Sequence, residues 1–372
     1  MHIGFLINEY PHPNLPKTGG IGTSCAILAK HLVALGVQVS VFGWSPQSID
    51  INDNGVNLKF IQPAKGIISA KKNAKRMERL IEDSKVDVIE VPDWCGYAAL
   101  MKFKIPCVVR LHGSDSYFCV LESRKAKLKN YFLERANLKK ANFIISVGAF
   151  VLKETNKLFG ISRPNEVVYN GVELTNRQPE AIKSDEQRIL YFGTIVRKKG
   201  LLLMPPIIEM VLAENPNVKF VFAGNDAKDW KTGSGSTLAL MQEGIKPAYL
   251  ESVTYLGSLN QKDLFQEIER ATLCVFPSQA EAFPMAWLEA MAKGKAIVGS
   301  NEPWAEEIID HKENGFLLDP KTPEKFAAGI LELLNNEELR MLLGMKAFEK
   351  VKDFDIKNTV EQNINIYKNL LS

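Results

Sequence analysis

Several absences narrow the sequence before any motif is read. No apolar run approaches the roughly 20 residues that span a bilayer. The start, Met1-His2-Ile3-Gly4-Phe5-Leu6-Ile7, reads as a short buried strand. It has neither the basic start nor the longer apolar run of a signal peptide. Cysteine is scarce: Cys25, Cys95, Cys107, Cys119 and Cys274 are odd in number and scattered, without a CxxC. That usage argues against a disulfide framework or a zinc site and for a reducing cytosol. No Gly-x-Gly-x-x-Gly follows a strand, which sets aside a nicotinamide-dependent oxidoreductase, and a Walker A lysine is absent as well. Internal repeats at solenoid spacing and low-complexity tracts are also missing.

What remains is ordinary globular composition, 46% hydrophobic and 24% charged. At 372 residues the chain is too long for one ordinary core and suits two α/β domains. The net charge of +3 conceals an asymmetry. Residues 1–175 carry 23 Lys+Arg against 15 Asp+Glu, a balance of +8, and the remainder balances at −5. A basic half suits anionic lipid or a phosphorylated acceptor, and equally a lysine-rich solvated surface.

Strand and helix patterns alternate through the first half. Strands are expected at 3–7, 37–42, 86–90, 107–111 and 143–147, with helices at 23–35, 70–84 and 122–140. The helix at 23–35 ends on Gly36, a residue suited to a helix C-terminus. The stretch 174–187 is polar and aperiodic and reads as a linker. The alternation then restarts, with strands at 189–192, 220–223, 253–256, 273–276 and 296–299. Helices are expected at 201–213, 261–270, 285–292, 323–335 and 356–371. Such alternation predicts parallel sheets covered by helices. Ligands then bind outside the carboxyl ends of the strands, and with two domains the cleft between those edges is the default site.

The most informative segment is Glu281-Ala-Phe-Pro-Met-Ala-Trp-Leu-Glu289. Its first glutamate lies in the loop after strand 273–276, its second about one turn into helix 285–292. A loop feeding a helix N-terminus offers free N–H groups and the positive end of the macrodipole to an anion. Pro284 sits where its missing N–H does least harm. Two carboxylates beside an anion site suit a neutral polyol attached to a phosphate. Gly193-Thr-Ile-Val-Arg-Lys-Lys-Gly200 places Arg197, Lys198 and Lys199 at a strand-to-helix turn, poised over a diphosphate or simply solvated. Thr18-Gly-Gly-Ile-Gly-Thr23 reads as a loop whose glycines admit a close ligand. His112-Gly113 closes a strand, where an imidazole would face the cleft or be a satisfied buried side chain. Asn170-Gly171-Val172 is a turn signal near the linker.

Together these pieces resemble the retaining glycosyltransferases of family 4, the "glycosyl transferases group 1", along essentially the whole chain. The resemblance rests on Gly19-Gly20-Ile21-Gly22, His112-Gly113, Asn170-Gly171-Val172, Lys199-Gly200, Gly224-Asn225, Leu256-Gly257, the Glu281 to Glu289 block running into Ala290-Met291-Ala292, and Gly315-Phe316-Leu317. It implies an α/β protein of the GT-B fold, two Rossmann-like domains facing each other across a cleft. Residues 1–175 would form the acceptor side, 185–354 the nucleotide-sugar side, and 355–372 a helix crossing back to the first domain. By the same resemblance Glu281 would bind the donor sugar near the reacting carbon, and Glu289 the ribose hydroxyls. Backbone N–H groups of Phe283, Met285, Ala286 and Trp287, around Pro284, would contact sugar or phosphate. Lys199 would touch the diphosphate, Asn225 would line the donor site and Ser258 would lie beside the base. Gly20 and Gly22 would border diphosphate and acceptor, and His112 would face the sugar. In one respect the chain departs from the family pattern: Thr194 stands where an arginine is usual, and Arg197 is the nearest replacement.

The expected reaction is transfer from a nucleotide diphosphate sugar, UDP-linked by preference, to a hydroxyl of a glycan or lipid-linked saccharide. The anomeric configuration is retained, no cofactor or metal takes part, and the setting is polysaccharide biosynthesis in the cytoplasm, with the inner face of a membrane as an alternative to a free cytoplasmic enzyme. Asp353-Phe354-Asp355 is read with Asp355 as a helix N-cap rather than a metal ligand. Nucleic acid is not an expected partner. The basic segment Arg124-Lys-Ala-Lys-Leu-Lys-Asn-Tyr-Phe132 is a candidate membrane contact, or a solvated helix face. Two other readings share the architecture: a sugar-nucleotide epimerase, and a glycosyltransferase-like partner without activity.

Overall fold

The computed structural model describes residues 1–15, 19–65, 69–174 and 187–372. Thr18 and nearly all of the expected linker lie outside the described residues. The chain divides into two compact units, Met1–Gly171 with Asp355–Ser372, and Val172–Phe354.

The first unit runs β1 (His2–Leu6), α1 (Gly20–Ala34), β2 (Gln38–Trp44), β3 (Ile49–Asp53), β4 (Val56–Ile61), α2 (Ser69–Asp83), β5 (Val88–Pro92), β6 (Cys107–Leu111), α3 (Asp115–Leu121), α4 (Leu128–Lys140), β7 (Phe143–Ser146), α5 (Ala149–Phe159) and β8 (Asn165–Val167). Its sheet has the order β3-β4-β2-β1-β5-β6-β7-β8. Every pair is parallel except β3 with β4. That hairpin turns on Asn54 and Gly55, at φ 52° and 92°, the left-handed pair that a two-residue hairpin loop requires.

The second unit runs β9 (Arg188–Phe192), α6 (Met204–Glu214), β10 (Lys219–Ala223), α7 (Thr237–Glu243), β11 (Val253–Tyr255), α8 (Gln261–Arg270), β12 (Leu273–Phe276), α9 (Met285–Ala292), β13 (Ile297–Ser300), β14 (Phe316–Leu318), α10 (Pro323–Asn335) and α11 (Glu337–Lys350). Its sheet, β11-β10-β9-β12-β13-β14, is parallel throughout. Strands such as Leu273–Phe276 are buried along their whole length, as a sheet covered on both faces demands.

The final helix, α12 (Ile356–Asn369), returns to the first unit. Asp355 caps it, its carboxylate accepting from Lys357 N at 3.0 Å. Ile356, Val360, Ile366 and Tyr367 join the core made by Ile3, Phe5, Val39 and Val41 of the sheet and Leu28, Ala29 and Leu32 of α1.

Two expected elements differ. The helix expected at 122–140 starts only at Leu128: a separate helix, α3, ends at Leu121, and beyond it Ser123 takes φ 52° and Arg124 N donates to Cys119 O in a left-handed turn. Charged residues fill that connection as readily as they fill a helix face, which is why charge did not mark the break. The first helix begins at Gly20 rather than Thr23, so Gly20-Ile21-Gly22 is its first turn and not a loop. First-turn N–H groups need no intrahelical partner, so glycine costs little there.

Candidate functional site

In a doubly wound sheet the crevice for a ligand opens where the strand order reverses, at the carboxyl ends of the strands. In the second unit that point is β9, flanked by β10 and β12. The chain leaving β9 forms a tight turn over Arg197–Lys199, closed by Gly200 at φ 76°. A Cβ at Gly200 would fall 1.8 Å from Pro277 O, so only glycine lets this turn lie against the segment after β12. Backbone bonds from Gln279 N and Ala280 N to Lys198 O, at 2.8 and 3.2 Å, join the two segments. Lys199 Nζ then stands 2.5 Å from Glu281 Oε1, an ion pair by distance without the angle of a hydrogen bond. The lysine side chain is 21% exposed and the glutamate 8%. Burial, with the Glu281 charge beside it, holds the Tyr191 hydroxyl well above the usual phenol range. That hydroxyl donates to Thr194 O at 2.9 Å.

From Glu281 the chain enters α9, with Pro284 at the N-cap. The N–H groups of Met285 and Ala286 find no acceptor among the described residues. Trp287 behaves differently from expectation: its N–H donates to Pro284 O at 3.1 Å. Its indole is buried against Trp304 at 5.3 Å and Phe276 at 6.1 Å. Trp287 is therefore a core residue whose amide is committed to its own helix turn. Phe283 is buried too, edge-on to Phe354 at 5.5 Å. Glu289 has no hydrogen-bond or ion-pair partner among the described residues, and burial pushes its carboxyl up to about 7.

Asn225 follows β10 and accepts Ile195 N on its carbonyl at 2.8 Å. Ser258, exposed, follows β11 and Gly257. Arg197 does not present an open guanidinium: it forks onto Asp229, Nε to Oδ1 at 2.6 Å and Nη2 to Oδ2 at 2.8 Å. Arg197, Lys199, Asn225, Ser258, Glu281 and the start of α9 thus share the carboxyl edge of one sheet. Asp229 and Tyr191 belong beside them, and neither carries a motif that reading the sequence could have found.

The first unit places the other candidates. Gly20 opens α1 with nothing within 4 Å of where a Cβ would be, and Gly22 is buried in the same turn. His112 follows β6 and donates its backbone N–H to Asp93 at 3.0 Å. Burial first, and the Arg110 charge second, push the imidazole down to about 3, so it is neutral at physiological pH. With Ile21, Ser24, Glu90 and Arg110 it lines a recess of about 10 Å³, room for one water at most. Asp93 is buried and shifted up to about 7, chiefly by burial. Ser24 Oγ donates to Asn170 at 2.8 Å, which ties α1 to the Asn170-Gly171 turn. A second cavity, about 300 Å³, lies among Asn8, Trp44, Asn73, Tyr97 and Leu100, and among the described residues no charged side chain lines it.

Two family models match the chain: Glycosyltransferase Family 4 over residues 18–176, and Glycosyl transferases group 1 over residues 172–350. The chain belongs to glycosyltransferase family 4. An uncharacterized glycosyltransferase of Methanocaldococcus jannaschii is 27% identical over 99% of this chain and 98% of its own length. The N-acetyl-alpha-D-glucosaminyl L-malate synthase of Bacillus anthracis is 26% identical over 80% of this chain and 78% of its own length. Among solved structures, sucrose-phosphate synthase from Thermosynechococcus elongatus superposes with a TM-score of 0.81 at 18% identity, over 99% and 98% of the two chains. Anabaena HepE in complex with UDP-glucose superposes at 0.77 and 17% identity, over 99% and 100%. These likenesses fix the fold of this family 4 member as two parallel-sheet α/β domains of the GT-B type.

Proposed function

We propose that this glycosyltransferase moves a hexosyl group from a UDP-sugar to a hydroxyl of a glycan or lipid-linked saccharide, with retention and without a metal. The observation that carries the reading is the convergence of Lys199, Glu281, the open amides of Met285 and Ala286 and the unpartnered Glu289 on one sheet edge. The acceptor oxygen attacks the anomeric carbon on the face from which the diphosphate departs. The bond from carbon to diphosphate oxygen breaks, the bond to the acceptor oxygen forms, and the acceptor proton passes to the leaving phosphate oxygen. Lys199 and the two amides stabilise charge growing on that leaving group. Glu281 accepts hydrogen bonds from the sugar, Glu289 from the ribose, and Arg197 adds only the field its pairing with Asp229 leaves. Neutral His112, unable to donate a charge, orients hydroxyls on the acceptor side, and the uncharged 300 Å³ cavity suits a neutral saccharide there. The UDP and UDP-glucose complexes of HepE favour the donor class.

Calorimetric titration with UDP, GDP and ADP without metal tests this first: UDP alone should bind. Glu281→Ala should retain UDP affinity within a few-fold and lose transfer by at least about 10³-fold, on the scale of one lost transition-state donor. Full activity in that variant would sink the assignment.

We infer an acceptor at a membrane's inner face, and a separate observation supports this. Leu128 and Phe132, 74% and 63% exposed, lie one turn apart on α4 among Lys125, Lys127 and Lys129. Between Glu122 and Lys140 seven cations face two carboxylates. Of these carboxylates Glu122 pairs with Arg124 and Glu134 is buried. Apolar anchors ringed by lysines match anionic lipid. No helix among the described residues is long and apolar enough to cross a membrane. Phe132→Glu with Lys129→Glu should abolish co-sedimentation with phosphatidylglycerol vesicles; unchanged sedimentation would remove the membrane from the proposal.

A further inference from the structure

Arg197 is held by Asp229 through two hydrogen bonds, at 2.6 and 2.8 Å. Asp229 is fully buried although it sits in the loop from β10 to α7. Besides Arg197 it accepts Thr232 N at 2.8 Å and Thr232 Oγ1 at 2.6 Å. The loop's entry is fixed by Ala227 N donating to Ile195 O at 3.0 Å, its exit by Thr237 N and Oγ1 donating to Ala227 O at 3.0 and 2.7 Å. A loop held this firmly nonetheless presents the next residue, Trp230, 50% exposed, between exposed Lys228 and Lys231. Trp44 and Trp94 are partly covered, and Trp287 and Trp304 are buried.

We propose that Trp230 is a stacking platform for the nucleobase of the donor, and that Arg197 is its positioning residue, holding the loop through Asp229. This rests on the donor reading above. The strand order gives the direction. Glu281, at the sugar end, follows β12, on one side of β9; the Trp230 loop follows β10, on the other. Gly224 N donates to Gly257 O at 2.7 Å, and Tyr255 Oη to Gly224 O at 2.8 Å, so the root of the loop is tied to the β11 end that carries Ser258. A nucleotide with its sugar at Glu281 and its diphosphate at Lys199 extends its base toward that end. An indole flanked by two lysines fits a planar base on an anionic ligand, since stacking is available to every base face and the cations favour the charge.

Calorimetry on the full chain with UDP and with inorganic pyrophosphate tests the proposal. Trp230→Ala should weaken UDP about tenfold and leave pyrophosphate within twofold, while Trp230→Phe keeps most of the UDP affinity. Arg197→Ala should reproduce the UDP loss, and Arg197→Lys, still able to reach Asp229, should recover most of it. Unchanged UDP binding by Trp230→Ala, or equal weakening of UDP and pyrophosphate, overturns the platform and leaves the donor reading standing. Absence of nucleoside diphosphate binding in the unaltered protein overturns the donor reading, and the platform with it.

Discussion

Each unit holds a glutamate paired with a cation at the end of its sheet, and the two pairs are built to different ends. In the first unit Arg110 and Glu90 are 4% and 6% exposed and joined twice, at 2.6 and 2.9 Å. Tyr367 Oη donates to Glu90 at 2.6 Å and Arg110 also donates to Asn363, so two residues of α12 complete the set. In the second unit Lys199 meets Glu281 once, with the lysine 21% exposed and its ammonium able to turn to a ligand. A buried pair bound also by Tyr367 and Asn363 holds structure together; a pair with one open member keeps charge ready for something that arrives.

The sharpest way to break that contrast is to remove one cation from each pair. Arg110→Met leaves Glu90 buried and uncompensated and should cost about 3–5 kcal/mol, with α12 the first element to loosen. Lys199→Met removes a single contact from Glu281, itself 8% exposed, and should cost less stability than the Arg110 change, while removing most sugar transfer. Urea unfolding followed beside turnover of a UDP-sugar separates the two. Equal destabilisation would mean that the Lys199 pair is structural, and retained transfer would remove it from the leaving-group role.

What could be read in the sequence follows the same division. The strand 107–111 and the helices 261–270, 285–292 and 323–335 fall where the period of their apolar residues puts them, because burial alone decides such elements. The hairpin at Asn54-Gly55 interrupts an alternating pattern that otherwise predicts parallel crossovers, and its Asn-Gly pair is the one local signal of it. The turn at Ser123 depends on one left-handed residue that no periodicity announces. The grouping of the candidate site residues is legible where they are consecutive, as from Glu281 to Glu289. It is illegible where partners come from separate loops. Arg197, expected near a phosphate, is paired with Asp229, 32 residues on. Trp287 looked like an amide donor until its own helix turn took the N–H.

A smaller effect sharpens the comparison from inside the second unit. Glu289 has no hydrogen-bond or ion-pair partner among the described residues, and burial raises its carboxyl to about 7 from an ordinary 4.5. The folded state therefore holds this proton more tightly than the unfolded chain does. That contribution is fully present below pH 4.5 and fades as pH rises through 7. Against Glu289→Gln, the unaltered protein should be about equally stable at pH 5 and less stable at pH 8 by on the order of 1–3 kcal/mol. Ribose hydroxyls donating to the carboxylate favour its charged form, so bound UDP should lower its pKa. UDP binding near pH 7 should then release a fraction of a proton, and affinity should rise between pH 6 and 8. Calorimetry in two buffers of different ionisation enthalpy reads the proton directly. A release that persists in Glu289→Gln would assign it to another group, and would leave the ribose without the acceptor that the unpartnered carboxyl offers.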